Sequence, residues 1–130
     1  MSEQKLPSVL VVEDEALIAC DLQHILESSG YRVIGPAASL ARGFELIKDE
    51  TPDLALLDVN LGDTTSYALA DALTERKCKV IFVSGHSRSW ISKRHRPLRV
   101  VEKPFLPDEL LATVKTELEA SSDPAKRRCA

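Results

Sequence analysis

The chain has 130 residues, with 17 Lys and Arg against 20 Asp and Glu, a formal net charge of −3 at pH 7. That length suits one domain with its own core, and mild acidity argues against nucleic acid as the main partner. Cys20, Cys78 and Cys129 are odd in number and lack CxxC spacing, so neither a disulfide framework nor a zinc site is indicated. Two buried or half-buried thiols and one in the tail are the expectation. The opening "MSEQKLPS" is polar and no apolar run approaches membrane-spanning length, which leaves a cytoplasmic protein as the expectation.

Residues 1–7 read as a polar arm. Val9–Val12 is a short apolar run, rich in β-branched residues and too short for a helix. Ile18, Leu22, Ile25 and Leu26 then share one helical face, with Gly30 as the stop. A weaker run, Tyr31–Ile34, carries an Arg. Leu40, Phe44 and Ile47 form a second stripe that ends at "DETPD". Leu54–Leu57 is the third run. After it come the capping candidates Thr64 and Thr65, then the stripe Leu69, Ala72 and Leu73. Val80–Val83 is the fourth run, and Arg99–Val101 a weaker fifth. Between these two, "HSRSWISKRHRP" has few apolar residues, so a short or irregular element is predicted there. Pro107 and Asp108 open a last helix on Leu110, Leu111, Val114 and Leu118. Residues 8–120 are thus one domain, and the polar tail 121–130 reads as disordered.

Strand and helix alternate five times, which calls for a parallel sheet with helices on both faces. The fully apolar runs belong in the centre and the two Arg-bearing runs at the edges. A flavodoxin-like, doubly wound α/β fold with order 2-1-3-4-5 satisfies that assignment. In such a sheet every strand ends on one edge, where ligands bind. Glu13 and Asp14 follow "VLVV", Asp58 follows "LALL", Ser84 follows "VIFV" and Lys103 follows "RVVE". Each taken singly is a strand's polar exit. Together they are three carboxylates, one hydroxyl and one ammonium at one place. Clustered carboxylates need a cation, and oxygen donors suit Mg²⁺. A metal so held would let Asp58 approach phosphorus as a nucleophile, with Ser84 and Lys103 stabilising the spreading charge.

"VLVVEDE", "LLDVNL", "FVSG" and "EKPF", in that order and spacing, resemble the receiver domain of two-component response regulators over nearly the whole chain. The resemblance implies that Glu13 and Asp14 are the acidic pair, with Asp14 a direct metal ligand. It implies that Asp58 is phosphorylated, and that Asn60 offers a backbone carbonyl to the metal. Ser84 matches the switch hydroxyl and Lys103 the family's lysine, and the Lys103–Pro104 bond matches one that is cis. Asn60 and His86 match positions that tune phosphoryl lifetime. His86 is equally readable as an exposed loop residue. "LALLDVNLGDTTSYALADAL" is similar to receivers of alphaproteobacterial stress signalling.

The chain departs from the pattern at three places. Val100 stands where receivers often have an aromatic, Gly62 where many have Pro, and the fourth helix is curtailed. From His86 through Lys103, six Lys or Arg against one acid, Glu102, form either a solvated face or a docking patch for an acidic partner. Trp90 lies inside it, as core anchor or partner contact. His24 and His95 read as surface residues.

The function implied is a single-domain response regulator taking phosphate from a sensor histidine kinase or phosphotransfer protein. It would signal by protein contact or drain a kinase as a phosphate sink, with a dimer possible and no membrane or nucleic-acid partner. Its only chemistry would be its own phosphorylation and dephosphorylation. Two alternatives are a haloacid dehalogenase-type phosphatase with Asp58 as nucleophile, and a phosphate-independent pseudo-receiver. Asn60 at the +2 position, where that phosphatase type has an acid, weakens the first. The complete acidic set weakens the second.

Overall fold

In the computed structural model, residues 6–85, 91, 93–95 and 98–120 are described. The apolar runs pair side by side. They are β1 (Ser8–Val12), β2 (Arg32–Ala37), β3 (Leu54–Asp58), β6 (Lys79–Ser84) and β7 (Arg99–Glu102), in the order β2-β1-β3-β6-β7 with every neighbour parallel. Two further strands, β4 (Asn60–Leu61) and β5 (Thr64–Thr65), form a small antiparallel ribbon of their own. With the ribbon set aside, the order is the one the sequence predicts.

Alternation along each strand sends side chains to opposite faces. Leu10, Val12, Ala55, Leu57, Val80 and Phe82 face one layer, formed by α2 (Leu40–Leu46) and α3 (Tyr67–Glu75). Val9, Val11, Leu54, Leu56, Ile81 and Val83 face the other, formed by α1 (Ala16–Ser28) and α4 (Pro107–Glu119). Every residue of β1 and β3 is buried, whereas β2 and β7 expose residues as edge strands do. Helix starts follow local chemistry. Ser39 Oγ accepts the Arg42 N–H at 3.1 Å to cap α2, and Pro107 with Asp108 and Glu109 occupies the first turn of α4. Gly43 lets α2 close on its neighbour, because a Cβ there would sit 2.8 Å from Leu69 Cδ2.

The structure differs from the sequence expectation at several points. Thr64 and Thr65 do not cap the third helix: they pair with Leu61 and Asn60 across a turn in which Gly62 has φ +70°. The helix begins only at Tyr67, after Ser66 donates its N–H to Val59 O at 2.9 Å. β2 runs three residues further than the apolar run suggested. Cys20 is exposed, not buried, because it lies on the outer side of α1. Between β6 and β7, where a short or irregular element is expected, the described residues hold the 3₁₀ turn Lys93–His95.

That turn carries the largest correction. His95 is not a surface residue: it is 3% exposed. Its ring stacks on Tyr67 at 4.4 Å with planes 9° apart, lies edge-on to Phe82 at 6.0 Å, and its Nε2 is 2.9 Å from Asp71 Oδ1. The apolar face of an imidazole fills a slot where the neighbouring sequence offers mainly cations.

Candidate functional site

Parallel pairing brings the C-terminal ends of the strands to one edge. The register sets Val12 beside Leu57, Asp58 beside Val83, and Ser84 beside Glu102. Glu13 extends β1 by one residue, its N–H donating to Ala37 O at 2.9 Å, and so enters the sheet's interior with its side chain 1% exposed. Lys103 likewise extends β7, donating its N–H to Ser84 O at 2.7 Å. The Lys103–Pro104 bond that follows is cis, as is Gly35–Pro36.

The lysine ammonium is the hub. Its Nζ lies 3.0 Å from Glu13 Oε1, 3.2 Å from Asp58 Oδ2 and 3.7 Å from Glu15 Oε1. Asp58 closes β3, is buried, and accepts the Asn60 N–H on Oδ1 at 3.3 Å. Glu13 Oε2 accepts the Glu15 N–H at 3.1 Å, which holds the start of α1 over the site. Asp14 is exposed beside these groups, and Ser84 is buried at the adjoining strand end. Asn60 is exposed on the ribbon. The geometry therefore gathers Glu13, Asp14, Asp58, Asn60, Ser84 and Lys103. His86 and Trp90 lie outside the described residues.

One ammonium among four carboxylates leaves an excess of negative charge. Burial pushes the Asp58 carboxyl up to about 7, hydrogen bonding to and repulsion from Glu13 add to the rise, and Lys103 opposes it. Burial works against the Lys103 ammonium, but its hydrogen bonds to and attraction by Glu13 and Asp58 win, so its pKa is raised. Glu13, Asp14 and Asp58 each offer a carboxylate oxygen, and these lie within 4.8 Å of one another. An all-oxygen, charge-rich set open on the Asp14 side fits a hard divalent cation such as Mg²⁺, and fits a soft metal poorly.

Two participants escaped the sequence reading. Glu15, the third acid of "EDE", reaches Lys103, yet nothing in its spacing separates it from an ordinary helix-start acid. His95 sits in a basic, aperiodic stretch whose composition gives no sign of burial.

A five-stranded parallel sheet with a buried acid pair and a lysine at its C-terminal edge defines a class, and the sequence comparison agrees. Residues 9–115 match the response regulator receiver domain, and the chain belongs to that family. Among relatives, it is 32% identical over 114 residues to the phyllosphere-induced regulator PhyR of Methylorubrum extorquens, covering 85% of this chain but 43% of that protein. The solution structure of SdrG from Sphingomonas melonis Fr1 is similar at 34% identity and a TM-score of 0.77, over 89% of this chain and 98% of that one. A mutant of the anti-anti-sigma factor PhyR from Bartonella quintana is similar at 31% identity and a TM-score of 0.76, over 89% of this chain and 50% of that one. The chain thus spans about half the length of the curated relatives it matches. The expected likeness to alphaproteobacterial signalling receivers holds, with PhyR proteins among the relatives. Among the described residues, no helix is long and apolar enough to cross a membrane.

Proposed function

We propose that this receiver accepts a phosphoryl group on Asp58 from the phosphohistidine of a sensor kinase or phosphotransfer protein, and that Mg²⁺ is its cofactor. The observation that carries the reading is the meeting of Glu13, Asp14 and Asp58 within 4.8 Å beside the Lys103 ammonium. Glu13, Asp14, Asp58 and the Asn60 carbonyl would hold the cation. Bound there, it supplies positive charge that screens the acids and draws electron density from phosphoryl oxygens.

The chain's own groups do the rest. Asp58 Oδ attacks phosphorus, the phosphorus–nitrogen bond breaks, and the donor imidazole leaves with the electron pair. Lys103, already paired with Asp58, neutralises the equatorial oxygens as negative charge spreads over them. Ser84, at the neighbouring strand end, donates its hydroxyl to the new phosphoryl group. That rearrangement biases the surface around β7, and the output is protein contact, a reading that the Bartonella relative, an anti-anti-sigma factor, supports.

The test is incubation with Mg²⁺ and a small acyl phosphate, followed by intact-mass measurement. A gain of one phosphoryl group is expected in wild type and in Asp63→Asn, where the acid is exposed in the ribbon turn, and not in Asp58→Asn. Equal labelling of wild type and Asp58→Asn would overturn the assignment.

A further inference from the structure

We infer that His95 is a conformational latch between the β6–β7 connection and α3, and that phosphorylation of Asp58 releases it. The inference rests on the phosphorylation reading above and adds where the signal goes.

Two short routes lead from the site to this histidine. Ser84 and Phe82 lie two residues apart on β6 and so point to the same face of the sheet. Phe82 meets both Tyr67 (5.8 Å, 88°) and His95 (6.0 Å, 79°) edge-on. The second route starts at Asp58. Its neighbour Val59 accepts the Ser66 N–H, and Ser66 precedes Tyr67, on whose ring His95 stacks. A shift of either the β6 end or the ribbon base therefore reaches the same aromatic stack.

The stack is held firmly enough to fix the 3₁₀ turn Lys93–His95 against α3, and imperfectly enough to let go. Its favourable contacts are the Tyr67 ring and Asp71, with Nε2 at 2.9 Å from the carboxylate. Against them, His95 Nδ1 is buried without a hydrogen-bond partner among the described residues. Release would hydrate that nitrogen, so the desolvation cost recovered offsets part of the contact energy lost. Nearby, Leu98 donates its N–H to His95 O at 3.0 Å and Ile91 is buried in the same layer, so the histidine positions what flanks it. Val100, opposite Phe82 in the register, is an aliphatic side chain that fills its place without a ring to swing. Among the described residues, the aromatic contact that joins the β6–β7 connection to this face is that of His95 with Tyr67 and Phe82.

Amide hydrogen exchange on the intact chain, with and without Mg²⁺ and acyl phosphate, tests this alongside mass measurement of the same samples. In phosphorylated wild type, the amides of Tyr67–Asp71, Lys93–His95 and Leu98 are expected to exchange about tenfold faster or more. His95→Ala is expected to show that faster exchange without phosphate, with little added on phosphorylation. Asp71→Asn, which keeps the ring stack, falls between the two. A purely structural histidine would speed exchange in His95→Ala and leave phosphorylated wild type unmoved. That last result, with the phosphoryl mass present, overturns the latch and spares the phosphorylation reading. A wild type that gains no phosphoryl mass overturns both. Should His95→Ala fail to fold, the wild-type and Asp71→Asn arms decide.

Discussion

The two edges of the sheet both carry charged clusters, yet they solve different problems. At the lower edge, Asp53 Oδ2 accepts the Ser8 N–H and hydroxyl at 2.8 and 3.2 Å, and the Asp53 N–H donates to Ser8 Oγ at 3.1 Å. Arg32 pairs with Glu50, and Lys79 Nζ donates to the last carbonyls of α4, those of Glu117 and Ala120. Charges there meet partners one for one. At the upper edge a single ammonium serves Glu13, Glu15 and Asp58, Asp14 stands beside them, and Asp58 holds its proton up to about pH 7. A balanced cluster staples a fold. An unbalanced, half-buried one carries negative charge in excess, which a bound cation would offset.

Removing charge from each edge should separate these roles, and the largest effect is expected at Lys103. Lys103→Ala leaves Glu13 and Asp58 buried without a counter-charge, and should cost about 2–4 kcal/mol in divalent-free buffer near neutral pH. Added Mg²⁺ should recover part of that loss in urea titrations. Asp53→Ala strips the lower edge of its shared acceptor and should cost about 1–2 kcal/mol. Here Mg²⁺ affinity and phosphoryl uptake should stay at wild-type levels; a large change in either would mean that the edges are coupled. Asp58→Asn should do the opposite of an ordinary buried substitution. It relieves the charge conflict, so the metal-free protein should gain about 1 kcal/mol, less than the full shift implies because water reaches the cleft mouth.

Linkage gives that conflict a pH signature. The folded carboxyl of Asp58 titrates at about 7 against 3.8 as its ordinary value, so the native state binds a proton more tightly than the unfolded one. This stabilisation is full at acid pH and is lost as pH rises through the interval up to about 7, the reverse of a salt-bridged aspartate.

Much of this was legible in the sequence because it depends on strongly patterned residues. Unbroken apolar runs on β1, β3 and β6 identify buried central strands, and parallel pairing then forces Glu13, Asp58, Ser84 and Lys103 to one edge. What stayed hidden depends on particular tertiary partners. The β4–β5 ribbon has two residues per strand, too few for any periodicity to register. Glu15 matters only because Lys103 comes within 3.7 Å. His95, flanked by arginines in "KRHRP", is drawn inward by Tyr67 and by Asp71, which lies 24 residues away in the chain. Local composition argued for solvent, and the packing of an aromatic face prevailed.

The most direct test is thermal unfolding at about pH 5 and about pH 8, each with and without Mg²⁺. Mg²⁺ should raise the Tm at the higher pH, do so much less at the lower pH where Asp58 is protonated, and lose most of its effect in Asp14→Asn. A Tm that Mg²⁺ leaves unchanged at both pH values, or an equal response in Asp14→Asn, would contradict the claim that the unbalanced acids of the upper edge bind a divalent cation.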